Sequence, residues 1–123
     1  MFGLTKKGST DLTHGQLMFR QGDVLIRRLD ALPPDGRKRM KRDDQGRIVL
    51  AYGEVTGHAH AIYDPGVVAW SLGDKMLLTV TDETALVKHE EHLPIELPAG
   101  HYEVVRQRQW TVAQQRKWEY VSD

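Results

Sequence analysis

Apolar and β-branched residues occur along this chain in short runs, each closed by turn-forming residues. The first run, Val24-Leu25-Ile26, leads into Arg27-Arg28-Leu29, and residues 23–29 read as a strand ended by Pro33-Pro34-Asp35-Gly36. Residues 48–52, 58–63 and 67–72 give three more strands. Asp64-Pro65-Gly66 and Gly73-Asp74 supply turns after the second and third of these. Residues 76–80 and 85–89 read as separate strands. Pro94, Pro98 and Gly100 bracket a short segment at 95–97, with a turn over 97–100, and a long, partly alternating stretch runs over 101–112. Residues 113–118 fit one helical turn or a loop before a last strand at 118–121.

No stretch carries sustained helical periodicity. Short strands with a turn signal roughly every 8–12 residues predict an all-β fold, a small single-domain β-barrel or sandwich. Residues 1–16 lack a sustained period and read as a flexible N-terminal arm or a loosely docked strand. Residues 17–123 then form one β-domain with a basic hairpin loop at 33–47.

Composition narrows the function classes. The chain has 123 residues, enough for one core, and its 17 basic and 17 acidic residues cancel, so no global field steers it to nucleic acid or membrane. With no cysteine, disulfides and thiolate metal sites are excluded, which suits a cytoplasmic location. No apolar run approaches the roughly 20 residues of a spanning helix. Ser9, Ser71 and Ser122 have no partner pattern for a nucleophilic triad.

Histidine placement is the strongest chemical signal. Five of the six histidines fall between positions 58 and 101, and the sixth, His14, reads as a solvated bystander. His58 and His60 stand at i and i+2, so on a strand both rings face the same side and can chelate one ion. His89 and His92 frame Glu90 and Glu91. On a regular strand these two histidines would face opposite ways, and they converge only if the chain turns between them. His101 opens the next strand, which a barrel could bring near His58 and His60. The expected ligand core is His58, His60 and His92, with His89 or His101 as a fourth. Glu90 and Glu91 are the candidate catalytic carboxylates or hydrogen-bond partners of a ligand ring, and Glu54 and Glu103 are further candidate bases. Imidazole with carboxylate suits a divalent metal, zinc, iron, nickel or manganese, in a site open to a small-molecule ligand, as in a hydrolase or oxygenase.

The segment His58-Ala-His60-Ala-Ile-Tyr-Asp64 resembles the first metal motif of the cupins, a His-x-His followed by a carboxylate. Pro98-Ala-Gly100 resembles the turn of their second motif. The resemblance covers residues 53–105 and implies a double-stranded β-helix barrel holding iron, manganese, nickel or zinc. The second motif departs from the family: Glu103 stands where a histidine belongs, and His101 precedes that place by two residues.

A second reading, of a different class, rests on the cations. Residues 35–47 carry six basic residues. Among them Arg37, Lys38, Arg39, Lys41 and Arg42 could contact nucleic acid or a protein partner together with the Arg/Gln-rich tail from Arg106 onward, leaving the histidines structural. The segment has no interleaved aromatic residues for base stacking. Tyr52, Tyr63, Trp70, Tyr102 and Trp110 read as core or barrel-mouth residues. The strand edges leave a homo-oligomer open.

Overall fold

A computed structural model describes residues 9–13, 16–53 and 55–106. Every regular element among them is a strand: β1 (Ser9–Thr13), β2 (Gln16–Gln21), β3 (Val24–Leu29), β4 (Lys38–Arg39), β5 (Ile48–Tyr52), β6 (Ala59–Ile62), β7 (Val67–Leu72), β8 (Lys75–His89) and β9 (His92–Arg106). The fold is all-β, as the sequence predicts, and no helix of the described residues is long and apolar enough to cross a membrane. His14, Glu54, Trp110 and the tail beyond Arg106 lie outside the described residues. Of the expected N-terminal arm, Ser9–Thr13 pairs with β2, from Ser9↔Arg20 to Thr13↔Gln16.

The sheet is antiparallel and runs β1-β2-β3-β9-β8-β6-β5, with β7 also paired to β8 and β4 to β7. Its spine is the β8–β9 hairpin. The base of β9 pairs with β3 from Val24↔Arg106 to Leu29↔His101, and the base of β8 pairs with β7. Near the tip, β8 carries β6 instead, through Ala61↔Lys88 and Ile62↔Val87.

Phe19 of β2 and Ile48 of β5 belong to strands far apart in this order, yet both pack in one core with Val24, Ile26, Leu50, Ile62 and Tyr102. The sheet is therefore folded over on itself. Phe19 meets the Tyr102 ring edge-on, with centroids 6.1 Å apart.

The bend is written into the parity of β8 and β9. Inward residues at the base are even-numbered: Leu78, Val80, Tyr102 and Val104. Toward the tip they are odd-numbered: Ala85, Val87, Ile95 and Leu97. Side chains alternate along a strand, so such a change requires an irregularity. The pairing does shift register between Val80 and Thr84. Thr81 fastens this bulge to the β6–β7 turn, its backbone N–H and hydroxyl both donating to Gly66 O at 2.9 and 2.8 Å.

Two expectations about strand limits need correction. Residues 76–80 and 85–89 are not separate strands but parts of continuous β8, and the expected turn at 97–100 lies inside β9. Pro94 and Pro98 fit within a strand because β3 pairs only with residues 101–106 of β9, so both prolines lie beyond the reach of that neighbour. The aromatic expectation holds for Tyr102, which is fully buried, but Tyr52 and Tyr63 are 60% and 47% exposed. Within the basic segment 33–47, Lys38 and Arg39 pair with Ser71 and Trp70 of β7.

Candidate functional site

Folding the sheet over brings the β8–β9 tip against the β2–β3 turn, and four histidines gather there. His89 and His92 pair directly across the tip, with Glu90 and Glu91 making the turn. This turn lets residues at i and i+3 converge, the condition their spacing set. Their ring centroids are 4.6 Å apart. His60 enters from β6, with its ring 4.3 Å from His89 and 5.7 Å from His92. His58, just before β6, lies 5.8 Å from His89. Together with Asp23, Gly53, Val55 and Glu91, these rings line a pocket of about 280 Å³. The i, i+2 expectation places His58 and His60 on one strand; His58 lies just before β6, and both residues line this pocket.

Gln21, at the end of β2, orders the centre of the cluster. It is a buried polar residue, 3% exposed, and its Nε2 donates to Val87 O at 3.1 Å and Leu93 O at 2.9 Å. Those two carbonyls fix the amide orientation, so Oε1 is the atom facing His60 Nδ1 at 2.8 Å. His60 Nδ1 must then donate. In the neutral ring the lone pair sits on Nε2, which lies 3.5 Å from Asp23 Oδ1. This is the arrangement of a ligand histidine whose other nitrogen is held by a hydrogen-bond partner. Sequence reasoning missed both Gln21 and Asp23. A glutamine beside a Gly-Asp turn carries no local signal, because its partners lie 66 and 72 residues away.

His89 is set the opposite way. Glu91 N–H donates to its Nδ1 at 3.0 Å, so the neutral ring carries its proton on Nε2. Burial, followed by the neighbouring His92, pushes His89 below the usual imidazole range, against the opposing pull of Glu90 and Glu91. His60 thus presents an acceptor nitrogen to the pocket and His89 a donor. His58 Nδ1 lies 2.7 Å from Glu91 Oε2, without hydrogen-bond alignment. Among the described residues, no three His, Asp or Glu side chains stand ready-made around one metal position. Closing on an ion therefore requires the rings of half-buried His58 and exposed His92 to turn.

The remaining candidates lie elsewhere or are engaged. Glu90 Oε1 accepts from Ala59 N–H at 3.0 Å and clamps the tip to β6, a bond that lowers its carboxyl below the usual range. His101 is not brought to the cluster. It pairs with Leu29 and Thr79 at the base of the hairpin, with Nδ1 3.1 Å from Thr79 Oγ1. Asp64, the carboxylate of the cupin-like motif, accepts from Leu86 N–H at 3.1 Å, and Glu103 pairs with Arg27.

Of the basic residues, Arg37 donates to Pro33 O at 2.6 Å and stacks 4.8 Å over Trp70. Arg42 donates to Gly46 O, Asp64 O and Val67 O. These two are structural, while Lys38, Arg39 and Lys41 are exposed.

The model of one family, described as a domain of unknown function (DUF8820), matches residues 20–107. No curated protein and no solved structure matches the chain.

Proposed function

The chain belongs to the family described as a domain of unknown function (DUF8820), and we propose that it is a small metal-binding β-protein whose site is this histidine pocket. His60 is the anchoring ligand through Nε2, with His58 and His92 completing an imidazole set and Asp23 adding a carboxylate. One observation carries the reading. Gln21 holds His60 Nδ1 at 2.8 Å and leaves the Nε2 lone pair directed toward Asp23, in a pocket where three more imidazoles gather. A donor set of imidazoles and one carboxylate fits zinc, iron, nickel or manganese. A divalent metal bound there would supply Lewis acidity or an activated water, the basis of hydrolase or oxygenase chemistry. His89, with its proton on Nε2, would donate a hydrogen bond to an oxygen of a small ligand entering the pocket.

The test is direct. Purified protein is equilibrated with each of the four metals, desalted, and analysed for metal content, with calorimetry for affinity. About one ion per chain is expected, and a His58→Ala/His60→Ala variant should retain none. Wild-type protein that keeps no metal, or a double variant that keeps as much as wild type, would overturn the proposal.

A further inference from the structure

The basic segment that plays no part in the histidine pocket borders a second cavity. A groove of about 470 Å³ lies between residues 39–42 and β7, within the size range of small-molecule sites. Its apolar lining is aliphatic: Ile48, Val67, Val68 and Ala69, with Met40 beside them. Ile48, Val67 and Ala69 are almost wholly buried and close the floor of the groove, while Val68 is half-buried. Met40 N–H donates to Ala69 O at 2.9 Å and fixes the segment against β7.

Every charge lining this groove is positive: Arg39, Lys41 and Arg42. The side chains of Arg39 and Lys41 are exposed and make no hydrogen bond or ion pair with any described residue. Arg42 is half-buried and donates only to main-chain carbonyls, at 2.6 to 2.9 Å. Its charge therefore has no carboxylate partner among the described residues. Asp43 pairs instead with Arg47, and Asp64 Oδ1 accepts from Leu86 N–H. A half-buried cation without a counter-charge, beside two exposed ones, favours an anion.

We propose that this groove binds an aliphatic carboxylate, with the hydrocarbon chain on Ile48, Val67, Val68 and Ala69 and the carboxylate at Arg39, Lys41 and Arg42. The chemistry of the walls selects this ligand. No aromatic side chain lines the groove to stack a base, and Arg37 already lies over the Trp70 ring. An aliphatic lining whose only charges are positive matches a ligand that joins an apolar chain to an anionic group.

The test uses sodium decanoate below its micelle concentration, followed by amide chemical shifts of the full chain. Decanoate should move the amides of residues 39–42 and 67–69. Decanol should bind about tenfold more weakly or worse, and decyltrimethylammonium should not bind. An Arg39→Glu/Lys41→Glu variant alters only exposed side chains, so it should fold normally and weaken decanoate binding about tenfold or more. Equal binding of decanol and decanoate, or undiminished binding by the folded double variant, would overturn the proposal. So would a short single-stranded RNA that moves the same amides when decanoate does not.

Discussion

Gln21 Oε1 and His60 Nδ1 meet at 2.8 Å across 39 residues of sequence, and through this contact the folded-over sheet sets the tautomer of its most buried histidine. The same amide holds Val87 O and Leu93 O, so one side chain joins β2, β6 and both strands of the hairpin tip. Replacing it with a similarly sized apolar residue, Gln21→Leu, strands two carbonyls and an imidazole N–H. We expect a loss of about 2–4 kcal/mol in urea unfolding of the metal-free protein. The ¹⁵N shifts of His60 should also move from the Nδ1-protonated tautomer toward a mixture. A variant as stable as wild type with an unchanged tautomer would show that the amide does neither job.

Gly22 sits where the tip meets the β2–β3 turn. It has φ of 58°, and a Cβ there would lie 2.9 Å from His92 Nε2 and 3.2 Å from His60 Cε1. Gly46 has φ of 78° but nothing within 4 Å of its would-be Cβ. Gly46→Ala should therefore show only the left-handed backbone penalty, about 1–2 kcal/mol. Gly22→Ala should lose more than that and should also weaken metal binding, which Gly46→Ala should leave intact. Equal effects of the two substitutions on stability and metal affinity would mean that the histidines do not pack against this turn.

The strands were legible because apolar, β-branched runs and turn residues are local signals. The His58/His60 pair is legible as a local i, i+2 spacing, although His58 lies just before β6 rather than on it. The convergence of His89 and His92 could be stated only as a condition, because it depends on a turn at Glu90-Glu91. What stayed hidden depends on the bend of the long hairpin. Continuous β8 was invisible because Thr81-Asp82-Glu83 looks like a break, whereas it is a bulge that changes which residues face inward. Gln21 and Asp23 join the site only because that bend carries the tip back over the β2–β3 turn. His101 lies at the base of the hairpin beside Thr79, a placement that the same bend decides and no local signal marks.

His92 and His101 differ nine positions along one strand, and the proposed site needs only the first. His92→Ala removes a ring that lies 5.7 Å from His60 and should lower metal affinity more than about tenfold. His101→Ala removes a contact to Thr79 Oγ1 and should cost about 1 kcal/mol of stability with metal affinity unchanged. Calorimetric titration of both variants separates the two. The reverse ranking would return His101 to the ligand set and remove His92.

Tyr102 supplies a pH dependence outside the histidine pocket. Its ring is fully buried, and its hydroxyl donates to Pro98 O at 2.5 Å. Burial pushes its pKa up from 10.0 to about 12, against the weaker opposing influence of Arg28. A phenol whose pKa is raised by folding holds its proton more tightly in the native state than in the unfolded one. Its contribution is therefore complete below pH 10, falls as the unfolded chain ionises first, and is gone once the native phenol also ionises near 12. At 1.36 kcal/mol per pH unit the loss over that window amounts to about 3 kcal/mol. Tyr102→Phe keeps the ring and removes the ionisable group, so its stability should be flatter between pH 10 and 12 than that of wild type, after an initial loss of about 1 kcal/mol for the missing hydrogen bond. Absorbance titration at alkaline pH should show a tyrosine step near pH 12 that is absent from the variant. Parallel stability profiles for the two proteins would mean that Tyr102 ionises as freely in the fold as in the open chain.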